Sequence, residues 1–126
     1  MNNIIGLDFS INKPAACIYT NKKTIFMSWP YPGAVSDTNI EKYRSAKVNI
    51  VNREDKKLGK ANLTEKMRWE MKNSKYLSNL IIDSLKPWLN NKTLIGFEGL
   101  SYGSSGNVVT QLAGYKYKLM HDLWKY

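Results

Sequence analysis

Asn3-Ile4-Ile5-Gly6-Leu7-Asp8 sets a short apolar run against a carboxylate at its last position. Isoleucine and leucine in so short a run, bounded by polar residues, read as a buried strand. A carboxylate taken out of water without compensation is costly, so Asp8 needs a partner, a turn to cap or a cation. The same pattern returns far downstream in Thr93-Leu94-Ile95-Gly96-Phe97-Glu98, again an apolar run closed by an acid. A lone strand-ending acid is commonly a turn former or helix cap. Two of them, each closing an apolar strand, form the most informative pattern in the chain.

Outward from the first strand, Asn12-Lys13-Pro14 turns the chain into a second strand at 15–20. Asn21-Lys22-Lys23 then reads as a polar hairpin tip before a third strand at 24–29. Short polar turns between consecutive strands predict an antiparallel meander. Pro30 and Pro32-Gly33 end it, and from 34 to about 62 the chain is polar, charged and poor in helix or strand signal. A connection of that length is functional, mobile, or both.

Leu63-Thr64-Glu65 gives a capping signal for a long helix. Its apolar stripe runs through Leu63, Met67, Met71, Leu77, Ile81, Leu85 and Trp88, with a break near Asn73-Ser74 where the helix kinks or restarts. After the Glu98 strand and a loop of small residues, a last helix begins at Asn107, with Val108, Leu112, Tyr115, Leu119 and Leu123 on one face. The expected fold class is therefore α/β: a three-stranded antiparallel meander plus a parallel strand, flanked by helices. A right-handed crossover lays the fourth strand parallel to the first, so that Asp8 and Glu98 leave the sheet at one C-terminal edge, where ligand chemistry in open α/β sheets collects.

The chain has 126 residues, enough for a single domain spanning 1–126, and a 43% hydrophobic content that favours folding over disorder. Its formal net charge is +9, from 19 Lys+Arg against 10 Asp+Glu. An excess of that size in so small a protein points to a polyanionic partner. No apolar run approaches the roughly 20 residues needed to span a bilayer, and the N-terminus does not read as a signal peptide. An intracellular setting is expected: cytoplasmic, nucleoid-associated or in a virus-infected host cell.

Cys17 and His121 are the sole residues of their kinds. Neither a disulfide nor a thiolate or histidine-rich metal site can form, so a metal would rest on oxygen ligands, which points to Mg²⁺ or Mn²⁺. Two carboxylates side by side repel each other, and a divalent cation between them relieves that cost.

Gly6-Leu7-Asp8-Phe9-Ser10 ahead of a meander, and Gly96-Phe97-Glu98-Gly99 ahead of a Ser/Gly-rich loop and helix, resemble the first two acidic motifs of RuvC-type Holliday junction resolvases. These enzymes belong to the RNase H-like nuclease superfamily. Tyr102-Gly103-Ser104-Ser105-Gly106-Asn107 and Gln111-Leu112-Ala113-Gly114 are similar to the family's segment after the second acid. The likeness covers about 1–30 and 76–126. It implies an RNase H-like mixed sheet and a Mg-dependent endonuclease cutting branched DNA, with Asp8 and Glu98 as catalytic and metal-binding residues. A homodimer is expected, because two strands must be cut symmetrically.

The family's remaining acids lie on a helix after a further strand, and this sequence ends at Tyr126 before either, as a truncated, partial or degenerate member would. Asp122 is expected to be a surface acid rather than a substitute. The basic segment at about 34–62 reads as an insertion relative to the family. Between Lys42 and Lys75 there are eleven basic residues and four acids, so phosphate contacts are expected from Lys47, Arg53, Lys56, Lys57, Lys60 and Arg68.

Lysines outnumber arginines sixteen to three, which favours point-charge attraction over base reading and makes binding steep in salt. Tyr102 is placed to stack on an unpaired base or, equally, to pack beneath its loop. Trp69 lies off the apolar stripe, available to a partner or to DNA unless it covers the core of a kinked helix. The competing reading is a non-catalytic nucleic-acid-binding domain on the same scaffold. A phosphate-handling protein of actin or sugar-kinase type is disfavoured, since 126 residues leave no room for a second half.

Overall fold

The structure, a computed structural model, describes residues 2–98 and 106–126. It is an α/β fold with one five-stranded mixed sheet in the order β4-β3-β2-β1-β5. Strand β1 (Ile4–Asp8) pairs antiparallel with β2 (Ala15–Thr20), which pairs antiparallel with β3 (Lys23–Ser28). The β2–β3 hairpin closes over two residues, Asn21 and Lys22, both at positive φ (49° and 61°). That geometry matches the right-handed twist of the flanking strands. After helix α2 (Leu63–Leu85), β5 (Leu94–Phe97) enters parallel to β1, with Ile4 opposite Leu94 and Leu7 opposite Phe97.

Two elements lie where the sequence showed no signal. Helix α1 (Asp37–Ser45) is capped by Ser36, whose side chain accepts from the Asn39 amide, and it buries no residue. Strand β4 (Val48–Ile50) then joins the free edge of β3 in parallel. A three-residue strand has too few side chains to show a period of two, and a helix without a buried face shows no apolar stripe.

Alternation along the strands sends Ile5, Leu7, Phe9, Ala16, Ile18, Met27 and Trp29 to one face, all buried. Leu77, Ile81, Ile82 and Leu85 of α2 cover that face, together with Tyr115, Leu119 and Leu123 of α3 (Gly106–Leu123). Each such side chain contributes about 1.5–3 kcal/mol when fully buried. The Trp29 indole also donates to Ser84 Oγ at 2.9 Å, fixing α2 beneath β3. On the opposite face no described helix covers the central strands, and Ile4, Tyr19, Phe26 and Leu94 remain about half exposed or more.

Helix α2 is continuous through Asn73-Ser74. Asn73 is buried and donates to the Tyr115 hydroxyl at 3.0 Å, so the apparent break in the stripe is a polar contact between α2 and α3. Asn62 caps the helix by accepting from the Glu65 amide at 2.8 Å. The first half of the stripe is not core: Leu63, Met67 and Met71 are 74%, 59% and 72% exposed. The cause is length. Twenty-three residues of helix span about 34 Å, whereas a five-residue strand covers about 17 Å, so the N-terminal turns overhang the sheet.

Candidate active site and basic flank

The overhang rises at the C-terminal edge of β1 and β5, the edge that carries the two acids. Register places Leu7 beside Phe97, and the Glu98 amide donates to the Leu7 carbonyl at 3.3 Å. Asp8 and Glu98 are therefore lateral neighbours on parallel strands about 4.8 Å apart. In-register residues of a parallel pair share a face, and both acids lie on the face opposite Leu7. They rim a shallow hollow of about 470 Å³ lined by Gly6, Gly96, Ala15, Cys17 and Phe26 among others. No hydrogen bond or ion pair joins either carboxylate to another described residue, and both are exposed. Two unpartnered carboxylates with oxygen donors facing one side suit a hard divalent cation whose other positions are filled by water and substrate. Among the described residues no group of three or more His, Cys, Asp or Glu side chains converges.

The basic segment is tied to this same edge. Glu54 N–H donates to the Tyr76 hydroxyl at 2.7 Å, and Trp69 Nε1 donates to the Lys56 carbonyl at 2.8 Å. These bonds run the segment along the overhanging half of α2, and Trp69 pins it. Lys56, Lys57, Lys60 and Arg68 are all exposed there. Lys47 is exposed too, but it precedes β4, three strands from β1, about 14 Å by strand spacing alone. Tyr102 lies outside the described residues.

Arg53 is a correction. It was expected on phosphates, yet it is only 5% exposed. Its guanidinium makes a two-pronged pair with Asp55 at 2.9 and 2.6 Å, and Nη1 donates to the Ile11 and Trp29 carbonyls at 2.6 and 3.1 Å. It also lies over the Tyr31 ring, 5.5 Å from the centroid. With four of its five N–H donors committed to Asp55 and to carbonyls beyond β1 and β3, and its side chain fully buried, Arg53 fastens the basic segment to the sheet and is not presented to DNA.

Asp122 is a second correction. It is buried rather than a surface acid, accepting from Ser78 Oγ at 2.7 Å and from Lys118 Nζ at 3.0 Å. Burial alone would raise its pKa, but these two donors outweigh it and hold the carboxyl below its usual value. Asp122 ties α3 to α2 through these two bonds.

Sequence reading missed Lys116. It is buried on α3, lies 5.9 Å from the Phe97 ring centroid, and donates a short hydrogen bond to the Glu98 carbonyl. The signal was present: Leu112, Lys116, Leu119 and Leu123 follow helical spacing, so a cation stands at a core position.

Comparison of the chain with protein-family models, curated proteins and solved structures found no match. Among the described residues no helix is long and apolar enough to cross a membrane.

Proposed function

We propose that this chain is a metal-dependent endonuclease domain of RuvC type, built on an RNase H-like scaffold and acting on branched DNA. The observation that carries the reading is the lateral apposition of Asp8 and Glu98, without other partners among the described residues, at the C-terminal edge of two parallel strands. The meander with a post-crossover strand laid against its first member agrees with the arrangement the resemblance implies. Asp8 and Glu98 would hold Mg²⁺ or Mn²⁺. When bound, the cation supplies charge stabilisation for the phosphodiester and an activated water. Lys56, Lys57, Lys60 and Arg68 draw the DNA backbone to the same edge by charge. A homodimer would bring two such edges to the two strands of a junction.

The test is cleavage of a synthetic four-way DNA junction in Mg²⁺ by the wild type, Asp8→Asn and Glu98→Gln. Each substitution should lower cleavage at least about 100-fold, the most that even an outer-shell partner of a metal usually contributes. Equal cleavage by all three proteins removes the assignment. A second reading, a nucleic-acid-binding domain without catalysis, is favoured by one observation: only two acids meet at the edge among the described residues. It expects salt-sensitive junction binding that is the same with and without metal.

A further inference from the structure

Trp69, Lys72, Asn73 and Tyr76 share one face of α2 by helical spacing, and the basic segment crosses that face at Glu54 to Lys56. Together they line a cavity of about 360 Å³. Small-molecule sites begin at roughly 300 Å³, so the space admits an aromatic ring. Two hydrogen bonds, Trp69 Nε1–H to the Lys56 carbonyl and the Glu54 amide to the Tyr76 hydroxyl, fix both aromatic side chains. Each bond uses only a polar atom at the ring's edge. Neither ring is packed against the hydrophobic core, and both are half-buried. An aromatic wall held in place before anything binds is what a stacking platform requires. Two cations line the cavity with it: Lys56 and Lys72 are exposed, and neither pairs with an acid among the described residues. Glu54 is the one acid in the lining. As a carboxylate it only accepts hydrogen bonds, which suits a group bearing N–H and repels a bare phosphate.

We propose that this cavity binds an unpaired nucleotide of a DNA strand, its base against Trp69 and Tyr76 and its flanking phosphates on Lys56 and Lys72. Proteins hold single strands by stacking bases on aromatic rings and by drawing the backbone to cations, and this lining supplies both. Charge selects a strand over a free nucleotide. Lys57, Lys60 and Arg68 are also exposed on the overhang, more cations than one phosphate group engages. The inference goes beyond the nuclease reading and depends on neither metal nor cleavage.

The probes are a short oligothymidylate, a chain of abasic deoxyribose phosphates of the same length, and thymidine monophosphate, all without metal. The wild type should bind the oligothymidylate more tightly than the abasic chain, and the Trp69 indole N–H resonance should shift with the first alone. Trp69→Leu should lower affinity for the oligothymidylate about 5- to 150-fold, the loss of one stacked base, and leave the abasic chain bound as before. Trp69→Phe loses the bond to Lys56 but keeps a ring, and should bind within about threefold of wild type. Lys72→Gln should weaken both chains alike and reduce the salt slope by about 0.7. Equal wild-type affinity for the two chains overturns the inference, as does an unmoved indole resonance, which needs no variant to fold. Equal losses in Trp69→Leu and Trp69→Phe reduce Trp69 to a pin for the basic segment and overturn it too. Thymidine monophosphate binding as tightly as the oligothymidylate refutes the strand as occupant. Junction cleavage enters none of these readouts, so the cavity and the Asp8–Glu98 edge stand or fall separately.

Discussion

Replacing Arg53 with methionine separates a structural arginine from a DNA-binding one. The side chains of Arg53 and Asp55 are both fully buried, and the guanidinium also serves two carbonyls from different strand ends. Removing the cation strands the Asp55 carboxylate and frees the Ile11 and Trp29 carbonyls together. Breaking a buried pair from one side costs about 3–5 kcal/mol. Against a total stability of about 5–15 kcal/mol for a domain of this size, that is a large share. Urea denaturation should show a lower midpoint at an unchanged slope. The double variant Arg53→Met, Asp55→Leu should recover much of the loss, since no charge is then left unpaired, and the coupling between the two sites reads out their interaction. DNA binding by the folded fraction should keep its full dependence on salt. A loss under about 1 kcal/mol, combined with a shallower salt dependence, would refute the staple and return Arg53 to the phosphate contacts.

Asp8→Asn relieves repulsion between neighbouring carboxylates, so it should melt above wild type without metal and lack the Mg²⁺-dependent rise in melting temperature expected of wild type. Changing Lys56, Lys57 and Lys60 together to glutamine should leave stability within about 0.5 kcal/mol. It should also reduce the slope of log affinity against log salt by about 0.9 for each lost phosphate contact. Asp122 has its pKa lowered in the folded state, so its stabilising contribution is present above the unfolded value near 3.8 and disappears as pH falls through the folded one. Asp122→Asn should therefore cost about 1.5–3 kcal/mol at neutral pH and flatten the acid limb of the stability profile.

Legibility followed the local physics. The apolar run Ile4-Ile5-Gly6-Leu7, and the polar turns at 12–14 and 21–23, announce the meander without reference to the rest of the chain. A right-handed crossover allows β5 to lie parallel to β1, and its pairing directly beside β1 is what brings Asp8 and Glu98 together. Arg53 is different. Inside a run of lysines it looks solvated, and only the convergence of Asp55 with carbonyls from Ile11 and Trp29 makes it internal. The exposed Leu63, Met67 and Met71 carry the opposite lesson, because periodicity reports a helical face but cannot say how far the sheet beneath it extends. Lys116 and Asp122 stand at core spacings on their helix, and a charge at such a spacing implies a tertiary partner.

The overhanging half of α2 has a consequence for how the molecule breathes. Its first turns depend on Trp69, Tyr76 and the Gln111–Glu70 bond, whereas the turns holding Leu77 to Leu85 are anchored in the centre of the protein. One unbroken helix thus straddles two cooperative units. Its leading end can unravel while the trailing end stays protected until the entire domain opens, so amide exchange along the helix should slow from Glu65 towards Leu85.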